Sequence, residues 1–270
     1  MQNVKAEFVR EKINNFILKR QEAEGAVRWK KPLVAFADAA DPMFSKLKEA
    51  VSPTHALPGD LLPGAGTVIV YFIPFVREIA LSNSRGRIAS EKWAEAYVAT
   101  NKLIRDMNDH LALLLEGFGY MCAVLPPTHN FDTTRLISDW SHKHVAYVAG
   151  LGAFGRHKLL ITSEGCCGRL GSLVTTAVIP ATARTTEVAC LHEYNGTCGV
   201  CMNKCPCGAL TADGFDRQRC YRVLLENAEI YEHLGLADVC GKCCCVTPCS
   251  FKNPVERIRK KKQENTMSTA

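Results

Sequence analysis

The stretch that decides the architecture is CLHEYNGTCGVCMNKCPCGAL, Cys190 to Leu210. Within it, Cys198-x2-Cys201-x3-Cys205-Pro206 reproduces the last three cysteines of the bacterial two-cluster run C-x2-C-x2-C-x3-C-P. The first cysteine of such a run is displaced: Asn195 stands in its place, and the nearest upstream thiol is Cys190. Downstream the pattern recurs loosely as Cys220, then Cys240-x2-Cys243, then Cys249 preceded by Pro248. The result is a pseudo-repeat of four plus four.

Where two such runs pack as an approximate two-fold pair, the fourth cysteine of each ligates the other cluster. That rule assigns Cys190, Cys198, Cys201 and Cys249 to one [4Fe–4S] cluster, and Cys205, Cys220, Cys240 and Cys243 to a second. Soft thiolates hold iron and sulfide, and short C-x2-C turns let backbone amides hydrogen-bond to the sulfurs. Zinc also uses C-x2-C pairs, but zinc ribbons space them by about 15 to 20 residues and do not need the C-x3-C-P step. Cys244 and Cys245 adjoin Cys243 and are alternatives to Cys249. Cys122 and Cys207 read as small buried residues. Cys166 and Cys167, in SEGCCGR, read as core, as a redox pair or as the lining of a cofactor site.

Composition agrees with a metal-rich intracellular protein. Fourteen cysteines in 270 residues would suggest a disulfide scaffold only in a short secreted chain. The opening MQNVKAEFVREKINNFILKR reads as an amphipathic helix and not as a signal peptide. The apolar run GAGTVIVYFIPFV, Gly64 to Val76, is interrupted by proline and falls short of the roughly 18 residues that cross a bilayer. A cytoplasmic location is expected, with thiols free for metal. The net charge of +6 includes the tail ERIRKKK, Glu256 to Lys262, which reads as a solvated, mobile terminus and not as a nucleic-acid contact.

The first two thirds alternate helical and strand patterns. The expected strands are Thr67 to Phe75, Tyr120 to Leu125, Lys158 to Thr162 and Ser172 to Ile179; the expected helices are the N-terminus, Glu91 to Glu116 and Asp139 to Ala149. From Pro180 the texture changes to cysteines spaced through turns, with one helix near Arg217 to Glu229. The expected organisation is an α/β or α+β domain over residues 1–185, a two-cluster ferredoxin-like module over 186–254 and a basic tail over 255–270.

Gly150-Leu-Gly152-Ala-Phe-Gly155 matches G-x-G-x-x-G, a dinucleotide fingerprint when it follows a strand and precedes an acid about 20 residues on. Here it follows a helical pattern, and Leu170 to Thr175 contains no acid. Taken together, SHKHVAYVAGLGAFGRHKLLIT, GRLGSLVTTAVI and a cysteine module ending CGKC…PC resemble epoxyqueuosine reductases and the core of corrinoid reductive dehalogenases, from about Thr67 to Pro254.

The resemblance implies a nitroreductase-related α+β domain that binds cobalamin, with one cluster close to cobalt and the other nearer the surface. It implies that Gly150, Gly152 and Gly155 contact the corrinoid through their backbone, where glycine permits close approach. No D-x-H-x-x-G stretch is present, so cobalt is expected without that motif's histidine, and His142 and His144 are expected to pack as polar groups. The family's proton-donating acid has its nearest counterpart in Asp132, with Asp139 as rival and Tyr147 and Arg156 as other groups near the loop; Asp132 equally suits the cap of a following helix. Full-length epoxyqueuosine reductases continue into a helical-repeat region that helps hold tRNA, and reductive dehalogenases begin with an export signal. The resemblance therefore implies a compact relative, fed by an external low-potential donor of ferredoxin or flavodoxin type. It would act on a small-molecule or corrinoid substrate, and not on nucleic acid or at a membrane. A non-catalytic electron carrier or partner-binding module is the alternative of a different class, and true epoxyqueuosine reduction in tRNA without the extra domain, helped by the basic tail, is a third.

Overall fold

The computed structural model describes residues 4–128, 131–184 and 187–267. The amphipathic start forms α1 (Ala6–Glu24), which buries Val9, Ile13 and Ile17 at one-turn spacing. Gly25 ends it in the left-handed conformation, its N–H bonded to the Gln21 carbonyl; Met1 to Asn3 lie outside the described residues. Next come β1 (Leu33–Asp38), α2 (Met43–Ala50) and α3 (Pro58–Leu61). β2 (Thr67–Pro74) has all eight residues buried, the use expected of an unbroken apolar run bounded by turn residues. After α4 (Arg77–Ser82) comes α5 (Glu91–Glu116), whose 26 residues include neither glycine nor proline. The chain continues through β3 (Cys122–Val124), β4 (Phe131–Asp132), β5 (Ile137–Ser138), α6 (His142–Val148), β6 (Ala153–Phe154), β7 (Leu160–Ile161) and β8 (Gly168–Thr175). It ends with α7 (Leu191–Asn195), α8 (Val200–Asn203), α9 (Arg217–Ile230) and α10 (Pro254–Met267).

These elements form two compact units. The first comprises Met1–Val76, Glu95–Leu151 and Gly168–Arg184; the second comprises Arg77–Ala94, Gly152–Cys167 and Thr185–Ala270. The first unit is α+β, around a four-stranded sheet in the order β1-β2-β8-β3. Every pairing in that sheet is antiparallel, so the glycine fingerprint has no parallel βαβ unit to serve. Strand β8 starts at Gly168 and stops at Thr175, shifted towards the N-terminus from the expected Ser172 to Ile179. Gly168 and Gly171 disguise its beginning in sequence, yet Gly171 pairs with Tyr71, and a Cβ there would overlap the tyrosine ring. The Tyr71 hydroxyl donates to Asn108 Oδ1 at 2.7 Å, and Asn108 Nδ2 donates to the Ser172 carbonyl at 3.2 Å.

The second unit contains little regular strand. Its hairpin β6–β7 pairs Ala153 with Ile161 and Phe154 with Leu160. Helix α9 is capped by Asp216, whose side chain accepts the Arg219 N–H. The rest is turn-rich chain carrying most of the cysteines.

Candidate metal centres

All fourteen cysteines are free thiols, which leaves them available as metal ligands. Burial and then the charges of Cys249, Cys190 and Cys198 push the Cys201 thiol up to about 11. Burial likewise raises Cys243 well above its usual value, followed by the charges of Cys244, Cys240, Cys220 and Cys205. Cys240 is raised to about 11, again by burial first. Two neighbourhoods emerge, one around Cys201 and one around Cys243. In each, the thiols resist ionising beside one another, and a cationic iron–sulfur core relieves that cost. The donor set therefore suits such a group.

Individual sulfurs are aimed by their surroundings. Cys205 Sγ accepts the Ala209 N–H at 3.2 Å. Burial alone would raise this thiol, but backbone N–H groups of Leu210, Cys207 and Ala209 outweigh it and draw Cys205 below its ordinary value. Cys207, expected as a small buried residue, is instead half-buried, with its sulfur 3.8 Å from Cys205 Sγ. Cys122 is half-buried on β3. At Cys249 the sulfur lies 3.4 Å from His157 Nε2. The Leu159 N–H reaches His157 Nδ1 at 3.1 Å, so Nδ1 accepts and Nε2–H donates to the Cys249 sulfur. Hydrogen bonding with Cys166, and then with His157, lowers Cys249 to about 4. No spacing rule signals His157, because its relation to Cys249 is purely tertiary.

Two tighter groups complete the picture. The ligand atoms of His157, Cys166 and Cys249 lie within 4.8 Å of one another, and so do those of Cys167, Cys244 and Cys245. Both groups have donors that suit a metal or an iron–sulfur centre. Cys244 and Cys245, weighed as substitutes for Cys249, thus gather with Cys167.

In the first unit, the histidines of α6 serve packing. His142 Nδ1 lies 2.9 Å from Ser172 Oγ, and its Nε2 lies 2.9 Å from the Pro126 carbonyl. The Trp140 indole also donates to Ser172 Oγ at 2.9 Å. Burial first of all lowers His142 to about 4, so the ring is neutral. His144 Nδ1 meets Ser141 Oγ at 2.7 Å. Asp139 accepts hydroxyl hydrogen bonds from Ser52 at 3.2 Å and Thr54 at 2.6 Å.

No family model matches the chain, and no curated protein matches it. Solved structures do. The epoxyqueuosine reductase of Bacillus subtilis, with its catalytic aspartate loop swung out of the active site, aligns at 18% identity and TM-score 0.53, covering 90% of this chain and 66% of that one. The chain shares its fold with epoxyqueuosine reductases. That of Streptococcus thermophilus aligns at 19% identity and TM-score 0.53, over 89% of this chain and 68% of its own. The catabolic reductive dehalogenase NpRdhA aligns at 16% identity and TM-score 0.54, over 84% of this chain and 31% of its own. The chain spans about two thirds (66%) of the length of the epoxyqueuosine reductase structure from selenomethionine-labelled protein that it also matches.

Against the epoxyqueuosine reductase fold, each glycine of the G-x-G-x-x-G loop makes room for the chain itself. Gly150 follows α6 at φ +80°, and the Leu151 N–H closes on the Ala146 carbonyl at 3.0 Å, a helix-ending motif that needs the left-handed residue. A Cβ on Gly150 would come within 3.1 Å of the Ala183 carbonyl oxygen; one on Gly152 would overlap the Ile161 carbonyl; one on Gly155 would come within 2.7 Å of His157. A side chain at any of the three would therefore meet the chain's own atoms. Asp132 sits at the tip of the β4–β5 hairpin and caps no helix: the sequence there turns back after Arg135 to pair Asp132 with Ile137. Its carboxylate accepts the N–H groups of Thr134 and Arg135, both at 2.8 Å, and Arg135 Nε at 2.9 Å. The Arg135 amide, its guanidinium and then the Thr134 amide hold it below the usual carboxylate range. Arg156 donates to the Thr211 carbonyl at 3.0 Å, which makes it a tie within the second unit.

Among the described residues, no helix is long and apolar enough to cross a membrane.

Proposed function

We propose that this chain is an iron–sulfur oxidoreductase with two [4Fe–4S] clusters. Cys190, Cys198, Cys201 and Cys249 would hold one, and Cys205, Cys220, Cys240 and Cys243 the other. Bound there, the clusters supply one-electron transfer. The carrying observation is that Cys249, Cys190 and Cys198 neighbour Cys201 closely enough to raise its thiol beyond the effect of burial, while Cys244, Cys240, Cys220 and Cys205 do the same at Cys243. These neighbours support the crossed partition, with Cys244 standing beside the second set. The chain's own groups orient the ligands: Ala209 N–H on Cys205 and His157 Nε2–H on Cys249. The first unit is read as nitroreductase-related and the cysteine module as ferredoxin-like, with an external ferredoxin or flavodoxin as donor. Anaerobic purification with joint analysis of iron, sulfide, zinc and cobalt tests the reading. About eight iron and eight sulfide per chain are expected from two such clusters; zinc in their place overturns it.

The finer reading gives the electrons a corrinoid acceptor, cobalamin bound without a histidine on cobalt, and a small-molecule substrate beyond it. The fold shared with epoxyqueuosine reductases and a reductive dehalogenase supports this. Titration of the reduced, iron-loaded protein with cobalamin decides: absence of binding removes the corrinoid and leaves the clusters untouched. Asp132 is the acid of this reading. Its ionised state means that it carries a proton only after leaving Arg135, and Asp132→Asn would lose turnover with iron retained.

A second reading is reduction of epoxyqueuosine in tRNA. It is favoured by the epoxyqueuosine reductase solved with an epoxyqueuosine-modified tRNA stem loop, which aligns at TM-score 0.53. Epoxide removal from modified tRNA, assayed with and without residues 256–270, tests it.

A further inference from the structure

Four cysteines have no place in the two cluster sets. Cys166, Cys167, Cys244 and Cys245 are 4%, 1%, 3% and 0% exposed, and they arrive as two adjacent pairs from distant segments of the second unit. Backbone bonds clamp the segments together: the Cys166 N–H donates to the Cys249 carbonyl at 3.1 Å, and the Cys167 N–H to the Ser250 carbonyl at 3.2 Å. Gly165 makes this approach possible, since a Cβ there would overlap the Ser250 carbonyl. The sulfurs then converge. Those of Cys167, Cys244 and Cys245 lie within 4.8 Å of one another, and Cys166 adjoins them through side-chain hydrogen bonds with Cys167 and Cys244 while its sulfur also lies 3.9 Å from Cys249 Sγ.

We infer that Cys166, Cys167, Cys244 and Cys245 form a closed four-thiolate site for one thiophilic d10 metal ion of the zinc and copper(I) class, distinct from both cluster sets. Four cysteines with no opening to solvent are the donor set of a structural zinc site. Zn–S bonds of about 2.3 Å at the tetrahedral angle put sulfurs about 3.8 Å apart, so small side-chain rotations bring Cys167, Cys244 and Cys245 to that spacing, and a turn of the Cys166 side chain away from Cys249 completes the set. A [4Fe–4S] core interposes several irons and sulfides between its thiolates and needs them farther apart. Buried free cysteines of an ordinary core pack against apolar atoms and need no donor aimed at sulfur. Here Asn83, fully buried, points its Nδ2 at Cys245 Sγ at 3.5 Å. The same side chain is fixed by donating to the Cys240 carbonyl at 2.8 Å and accepting the Ser90 N–H at 2.9 Å. The ammonium of Lys242 is held on the Arg85 carbonyl at 2.6 Å and acts electrostatically on Cys240 and Cys245, a positive charge that offsets part of a four-thiolate site's excess. The bound ion would tie the segment leading into β8 to the C-terminal loop.

The test uses the full chain purified anaerobically, with iron, sulfide, zinc and copper measured together and the metal-edge X-ray absorption recorded. The expected result is one equivalent of zinc or copper(I) per chain beyond the iron, in a sulfur-only shell; for zinc, about four sulfurs at about 2.3 Å. The double variant Cys167→Ser/Cys245→Ser should lose that equivalent and keep its iron. Wild-type protein without a non-iron metal, an oxygen or nitrogen shell, retention of the ion in the double variant, or loss of iron with it would each overturn the site. So would a disulfide among the four, detected by alkylation and mass analysis. The wild-type edge spectrum decides even where the variant does not fold. Failure of the cluster reading shows separately, as missing iron with this ion still lost on Cys167→Ser/Cys245→Ser.

Discussion

The sulfur of Cys205 accepts the backbone N–H of Ala209 at 3.2 Å. A thiol drawn below its ordinary value by three amides is already prepared as a thiolate ligand, before any metal arrives. In the proposed partition its partners are Cys220, Cys240 and Cys243 and not the other members of its own sequence run, and this gives the crossed arrangement a direct test. Cys249→Ser and Cys201→Ser should abolish the same electron paramagnetic resonance signal, whereas Cys205→Ser and Cys243→Ser abolish the other. Each variant is expected to lose about half the iron. If Cys249→Ser instead groups with Cys243→Ser, the partition is wrong.

Gly165 and Gly196 separate two causes of glycine dependence. Both have positive φ, +86° and +72°, but a Cβ on Gly165 meets the Ser250 carbonyl, whereas one on Gly196 meets nothing within 4 Å. Gly196→Ala should cost about 1 kcal/mol, the left-handed backbone alone. Gly165→Ala should cost at least about 2 kcal/mol, with overlap added to strain. Denaturant unfolding of the two variants under identical metal loading checks the order.

His142 makes stability sensitive to acid. Its folded value of about 4 lies below the ordinary 6.5, so the unfolded chain takes up the proton first as pH falls. The stability tied to the neutral ring is intact above pH 6.5. It is lost progressively down to about pH 4, by up to about 3 kcal/mol. His142→Gln lowers stability at pH 7 but should flatten this slope, which paired unfolding curves at pH 7 and pH 4.5 would show as a smaller difference than in the parent.

Tyr71→Phe removes the hydroxyl that Asn108 Oδ1 accepts at 2.7 Å inside the sheet unit. The ring still fits over Gly171, so the loss is that of one buried hydrogen bond with an acceptor left unpaired, about 1 to 3 kcal/mol. Adding Asn108→Leu should recover part of it if the unpaired acceptor is the cause.

Much of the fold is legible locally. Helix α5 runs from Glu91 to Glu116 and α9 from Arg217 to Ile230, and both could be drawn from apolar period and breakers. Strand β2 announces itself as an apolar run. Strand β1, LVAFAD after two lysines and a proline, is too short to announce itself and becomes a strand by pairing residue for residue with β2. The helix expected after Asp132 is a hairpin turn because Asp132 and Arg135 bond each other across it. Asn83 and His157 carry no motif, yet each points a nitrogen at a cysteine sulfur.

Residue order by itself determined the C-x2-C and C-x3-C-P turns, the long helices and the central strand, because each depends on groups a few bonds apart. Tertiary structure decided which sulfurs share a neighbourhood, that Cys166 and Cys167 meet Cys244 and Cys245, and which atoms crowd Gly150, Gly152 and Gly155. Those outcomes depend on contacts between segments far apart in sequence, set by burial and backbone pairing and not by any local period.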